Sequence, residues 1–154
     1  MRRSLRSVVL IAVLATGLFS CVSTAETDWQ SMQDDADRFV DAATAEDGSL
    51  GAATQRLAAQ DPPPADDDWI TLSFPSELRI DGVVATCFGD GTAQLGYSVS
   101  SREGSVAGGS VDVLCDGGET EIPLAEHGDA IRLSAVLVSG SGAVVAAAVS
   151  GGAE

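Results

Sequence analysis

The 154-residue chain contains no Lys and no Asn, a single histidine (His127), only three cysteines, and aromatic side chains at 5% of positions. Without Asn there is no N-glycosylation sequon. Without Lys, eight Arg stand against 23 Asp and Glu, a net charge of −15, so nucleic acid and anionic headgroups repel the chain. One His and no spare cysteine pair fall short of the four nitrogen and sulfur ligands of a structural zinc site. G-x-S-x-G is missing, and Gly89, Gly91 and Gly96 have the spacing of turn and strand glycines rather than of a phosphate-binding strand-to-helix loop. Asp66, Asp67 and Asp68 are adjacent acids, whereas a Ca²⁺ loop needs alternate acids, a central Gly and a closing Glu. The sequence therefore assigns no catalytic residue, no metal and no cofactor. Few aromatics also mean a light core.

What is present begins with an export signal. Arg2, Arg3 and Arg6 precede an apolar run from Val8 to Leu14, and small residues follow, the layout of a secretory signal peptide. That run is too short for a membrane span, which needs about 20 apolar residues. It leads into Leu18, Phe19, Ser20 and Cys21. Here residues 1–21 resemble the export signals of bacterial lipoproteins, in which an aliphatic residue and two mostly small ones precede a cysteine. The resemblance implies that residues 1–20 are removed and that Cys21 is lipidated, becomes the new N-terminus and anchors the protein outside the cytoplasm.

Cysteine arithmetic points the same way, because three is an odd number for an exported protein and assigning Cys21 to lipid leaves an even pair. The competing reading is cleavage after Ala25, at the Ser23-x-Ala25 site, which would release a secreted protein. Removing residues 1–20 takes away three Arg and no acid, leaving five Arg against 23 acids, a side-chain charge of −18. Membrane association must then come from the lipid, and a protein or peptide partner would be basic. The chain is read as a monomer.

Residues 21–60 form the anchored N-terminal segment. Thr27 to Ala43 has the pattern of an amphipathic helix: Trp29, Met32, Ala36, Phe39, Val40 and Ala43 recur at steps of three and four, with Asp34, Asp35, Asp37 and Asp41 elsewhere. Thr27 and Gln30 have capping-box spacing, and Gly48 lies just beyond the end. A second, shorter helix is expected over Ser49 to Ala59, with Leu50, Ala53 and Leu57 on one side and Pro62 as its stop. Residues 61–68, DPPPADDD, read as a stiff, acidic, solvated linker.

From residue 69 to 154 the period changes to two. Ile70, Leu72 and Phe74 alternate ahead of Pro75; Val83, Ala85 and Cys87 share a face; so do Ala93, Leu95, Tyr97 and Val99, and Val111, Val113 and Cys115. Reversals are expected at Asp81-Gly82, Gly89-Asp90-Gly91, Gly117-Gly118 and Gly140-Ser141. About seven strands so spaced predict a mainly β domain, a small antiparallel sandwich or barrel. Both remaining cysteines fall on apolar strand faces, which predicts a buried Cys87–Cys115 disulfide. The last strand, AVVAAAV, is apolar on both faces and belongs in the centre of the sheet or under the N-terminal helix.

Two functional classes follow. The leading one is a membrane-anchored, non-enzymatic β domain that binds a ligand or serves a structural role in the envelope. The other is a hydrolase, secreted or anchored, with an unconventional site near His127, which the sequence places in an exposed turn between two strands. Glu119 and Glu121 lie one strand period apart and read as a solvent face.

Overall fold

The computed structural model describes residues 28–59, 61 and 69–152. Among them are one helix and four strands: α1 (Trp29–Thr44), β1 (Ser49–Ala58), β2 (Ile70–Ser101), β3 (Gly104–Ser139) and β4 (Gly142–Gly152). The strands form an antiparallel sheet in the order β1-β4-β2-β3, so the protein is mainly β. The expected export signal, Cys21 and residues 62–68 of the expected linker lie outside the described residues.

Helix α1 forms where the apolar stripe predicts it. Its cap is Asp28, whose carboxylate accepts the Ser31 N–H at 3.1 Å; Thr27 of the expected capping box lies outside the described residues. The acidic side is exposed and tied by side-chain bonds four residues apart, as from Gln33 to Asp37 at 2.8 Å. On the other side Met32 and Ala36 are buried, with Trp29, Phe39 and Val40 half-buried, against Val144, Ala146 and Phe88. Burying the Met32 side chain alone contributes about 1.5–3 kcal/mol. This explains why the last strand is apolar on both faces: Val144 and Ala146 meet the helix, while Ala143, Val145, Ala147 and Val149 face the main core.

The second helix expected over Ser49–Ala59 is instead strand β1. Leu50, Ala53 and Leu57 do follow helical spacing, but Gly51 (φ +147°) and the β-branched Thr54 disfavour a helix. More decisive is β4, whose backbone is buried beneath α1 and needs pairing on both sides. Residues 51–58 supply one side through pairs with 149–142, and β2 supplies the other. Residues 49–58 thus share one sheet with the strands that follow residue 69.

Strands β2 and β3 run for 32 and 36 residues because three of the four anticipated reversals are not reversals. At Asp81-Gly82 the ladder shifts register and continues. At Gly89-Asp90-Gly91 the chain bends while its neighbour changes: residues up to Gly89 pair with β4, ending at Ala143, and those from Thr92 pair with the end of β3, starting at Ser139. Gly117-Gly118 lies at a similar shift, between the pairs Phe88↔Asp116 and Thr86↔Glu119. Gly140-Ser141 does separate two strands, yet β3 and β4 then follow one another along the same side of β2. The tight reversal is at Ser101–Gly104, where β2 folds back onto β3.

Glycine is required where the bends meet. Gly91 (φ +90°) and Gly140 (φ +112°) lie so close to Ser139 and Asp90 backbone that a Cβ on either would overlap a carbonyl oxygen. Asp90 fastens the crossing: its carboxylate accepts the Ser141 N–H at 3.1 Å and the Ser141 hydroxyl at 2.9 Å.

The alternating stretches bury the residues that period two selects. Val83, Ala85, Cys87, Ala93, Leu95, Val99, Val113 and Cys115 belong to one cluster with Ile80, Ile131 and Leu133, and Tyr97 is half-buried against it. Cys87 and Cys115 form the expected disulfide, with Cα atoms 4.2 Å apart, beside the bend in β2 and β3. It joins residues 28 apart in sequence within the apolar core.

Candidate functional site

His127 lies within β3 rather than in a turn, because β3 continues through Glu126–Asp129 in pairing with Leu78–Ile80. It is exposed and stands directly across from Arg79, whose Nε lies 2.9 Å from Asp81 Oδ1. Two residues further on, Asp129 Oδ2 lies 3.8 Å from Arg102 Nε. The local chemistry of this end is therefore arginine set among carboxylates. A cleft of about 400 Å³ opens here, lined by Ser76, Glu77, Ser101, Arg102, Glu103 and Asp129, and His127 is not in its wall.

A second cleft, of about 250 Å³, lies between the C-terminal end of α1 and the sheet. Glu46 and Asp47 line one side, Glu119 and Glu121 the other, and Phe39, Val84 and Ala148 contribute apolar wall. Glu119 and Glu121 share a face, as their spacing predicts, because they pair with Thr86 and Val84, the alternate residues of β2. Their approach to Glu46 and Asp47 is the feature that sequence reasoning missed. More than 70 residues separate the two pairs, and only the laying of α1 over β4 brings them together. All four carboxylates are exposed, and the carbonyl end of a helix adds partial negative charge, so this mouth attracts cationic groups.

The Asp90 carboxyl is held below its ordinary value by bonds from the Ser141 backbone N–H and then the Ser141 hydroxyl. Its position at the strand crossing makes it a structural fastener. Cys87 and Cys115 are consumed by their disulfide. Among the described residues no three side chains of His, Cys, Asp or Glu converge as metal ligands, and no helix is long and apolar enough to cross a membrane. Cys21, the expected lipidation site, lies outside those residues.

No family model matches the sequence, and no curated protein matches it. Among solved structures the chain is similar to a family two carbohydrate esterase from Cellvibrio japonicus, at 15% identity and a TM-score of 0.31 over 67% of this chain. The match covers 36% of the esterase, so this chain spans about a third of that protein's length.

Proposed function

We propose that this chain is an extracytoplasmic lipoprotein, anchored through lipid on Cys21, whose β domain is a non-enzymatic binding module for a basic protein or peptide. The observation that carries the reading is the charge, −15 overall, together with its placement. Most acids of α1, the clefts and the strand faces are exposed, as at Asp34, Asp112, Glu119 and Glu121. Charge so displayed steers positively charged partners and weakens with salt.

We also infer that the two halves of the bent, open sheet pack face to face as a sandwich. Two observations support this. A single apolar cluster takes in residues from both halves of β2, Val83 and Cys87 before the bend, Leu95 and Val99 after it. Gln55 of β1 reaches the other half, donating from Nε2 to the Ala135 carbonyl at 3.2 Å and accepting the Ala135 N–H through Oε1 at 2.9 Å. Such a fold would set α1 on one outer face.

The test is titration of the detergent-extracted full chain with an arginine-rich polypeptide. The dissociation constant is expected to rise at least about tenfold between about 0.05 and 0.5 M salt. Absence of binding at low salt would overturn the reading. Turnover of an ester or peptide that His127→Ala abolishes would put the hydrolase in its place.

A further inference from the structure

Sheet edges are open templates for another strand, and natural proteins blunt them with charge, proline, bulges or brevity. The edges of this sheet are treated unequally. Strand β1 carries a bulge after Ser49 and exposed Arg56. The segment Ile70–Ser73 is four residues long and runs into Pro75. The outer edge of β3 beyond Cys115 bears Glu119, Glu121, Pro123 and the positive-φ Ala125. Residues 105–114 of β3 carry one register shift, which leaves Val106 without a partner in β2, and a single acid, which attracts a basic strand where Arg56 of β1 would repel it. They pair with β2 on one side and, among the described residues, with nothing on the other. The stretch holds no proline and one charge, Asp112, and it includes the exposed pair Gly108-Gly109, with the Tyr97 ring lying over Gly109.

We propose that this edge is where the partner binds, by adding an extended basic segment as an antiparallel strand against residues 105–114. The inference rests on the proposed binding function and names its surface. Main-chain hydrogen bonds would supply affinity, and alternate side chains specificity. The outward residues of the edge, in period two, are Val106, Gly108, Ser110, Asp112 and Leu114, with Val106 and Leu114 among the exposed large apolar side chains. A complementary strand therefore carries apolar residues opposite Leu114 and Val106 and a cation opposite Asp112. Charge selects a basic segment over a second copy of this chain: residues 103–126 hold six acids and no base, so two such edges would repel.

The experiment uses the full chain in detergent and a nine-residue peptide that alternates threonine with leucine, arginine, serine, serine and valine, beside a control with glutamate in place of arginine. The arginine peptide is expected to bind at least about tenfold tighter, to slow amide exchange at alternate positions within residues 105–114, and to lose that preference in Asp112→Lys. Asp112 is exposed, and an unchanged Tm would show that the variant is folded. Equal affinity for both peptides would overturn the proposal. Binding that slows exchange only elsewhere would overturn the edge and leave the basic-partner reading intact. Failure of both this peptide and the arginine-rich polypeptide would remove both.

Discussion

Thr86 offers a sharp test of the packing between helix and sheet. Its side chain is 1% exposed, and its Oγ1 has no hydrogen-bond partner among the described residues. It sits on the face of β2 that it shares with Val84 and Phe88, paired with Ala146 of β4, beneath α1. A buried hydroxyl without a partner costs about 1–3 kcal/mol, and exchanging it for a methyl adds up to about 0.8 kcal/mol of apolar burial. Thr86→Val keeps the branched shape and strand propensity, so it should stabilise by about 1–3 kcal/mol. For a domain of this size that raises Tm by about 5–10 °C. Thr86→Ser retains the hydroxyl and deletes the methyl, and should lower stability by about 1 kcal/mol. Thermal unfolding under non-reducing conditions reads both. A Val variant no more stable than the wild type would refute the reasoning, since the hydroxyl would then be satisfied.

Three further outcomes follow from the same contacts. Replacing both Cys87 and Cys115 with Ala should lower stability by about 3.6 kcal/mol from the loss of the cross-link, measured by denaturant titration against the oxidised wild type. Asp90→Asn should flatten the acid side of the stability profile: a carboxyl depressed in the fold stabilises above its unfolded value of 3.8, and that contribution disappears as pH falls through the folded value. Unfolding midpoints from neutral pH down to about pH 2 check it. Gln55→Ala should cost about 2–3 kcal/mol, because it strands both the N–H and the carbonyl of buried Ala135; urea unfolding measures the loss.

Period-two alternation made the core residues readable, because burial on one face leaves its mark at every second position. Val83, Ala85, Leu95, Val99 and Val113 were all recoverable in this way, and the two cysteines with them. The doubly apolar AVVAAAV likewise fits a strand in the centre of the sheet or one under the helix, and β4 is both. Turn residues were more ambiguous. Glycine marks any positive φ or close backbone approach, and Gly89, Gly91 and Gly117 serve bends within continuous strands as readily as they would serve reversals. Strand β1 carries a helical pattern for a related reason: over ten residues, leucines at helical spacing cannot reveal that β4 lacks a neighbour. The acidic mouth between α1 and β3 was hidden because it depends on tertiary docking alone.

The proposed anchoring through Cys21 is tested most directly by the intact mass of the membrane-extracted protein. The expected result is a mature chain that begins at Cys21 and carries the added mass of lipid, with the Cys87–Cys115 bridge still oxidised. A soluble, unlipidated species beginning at Glu26 would contradict it.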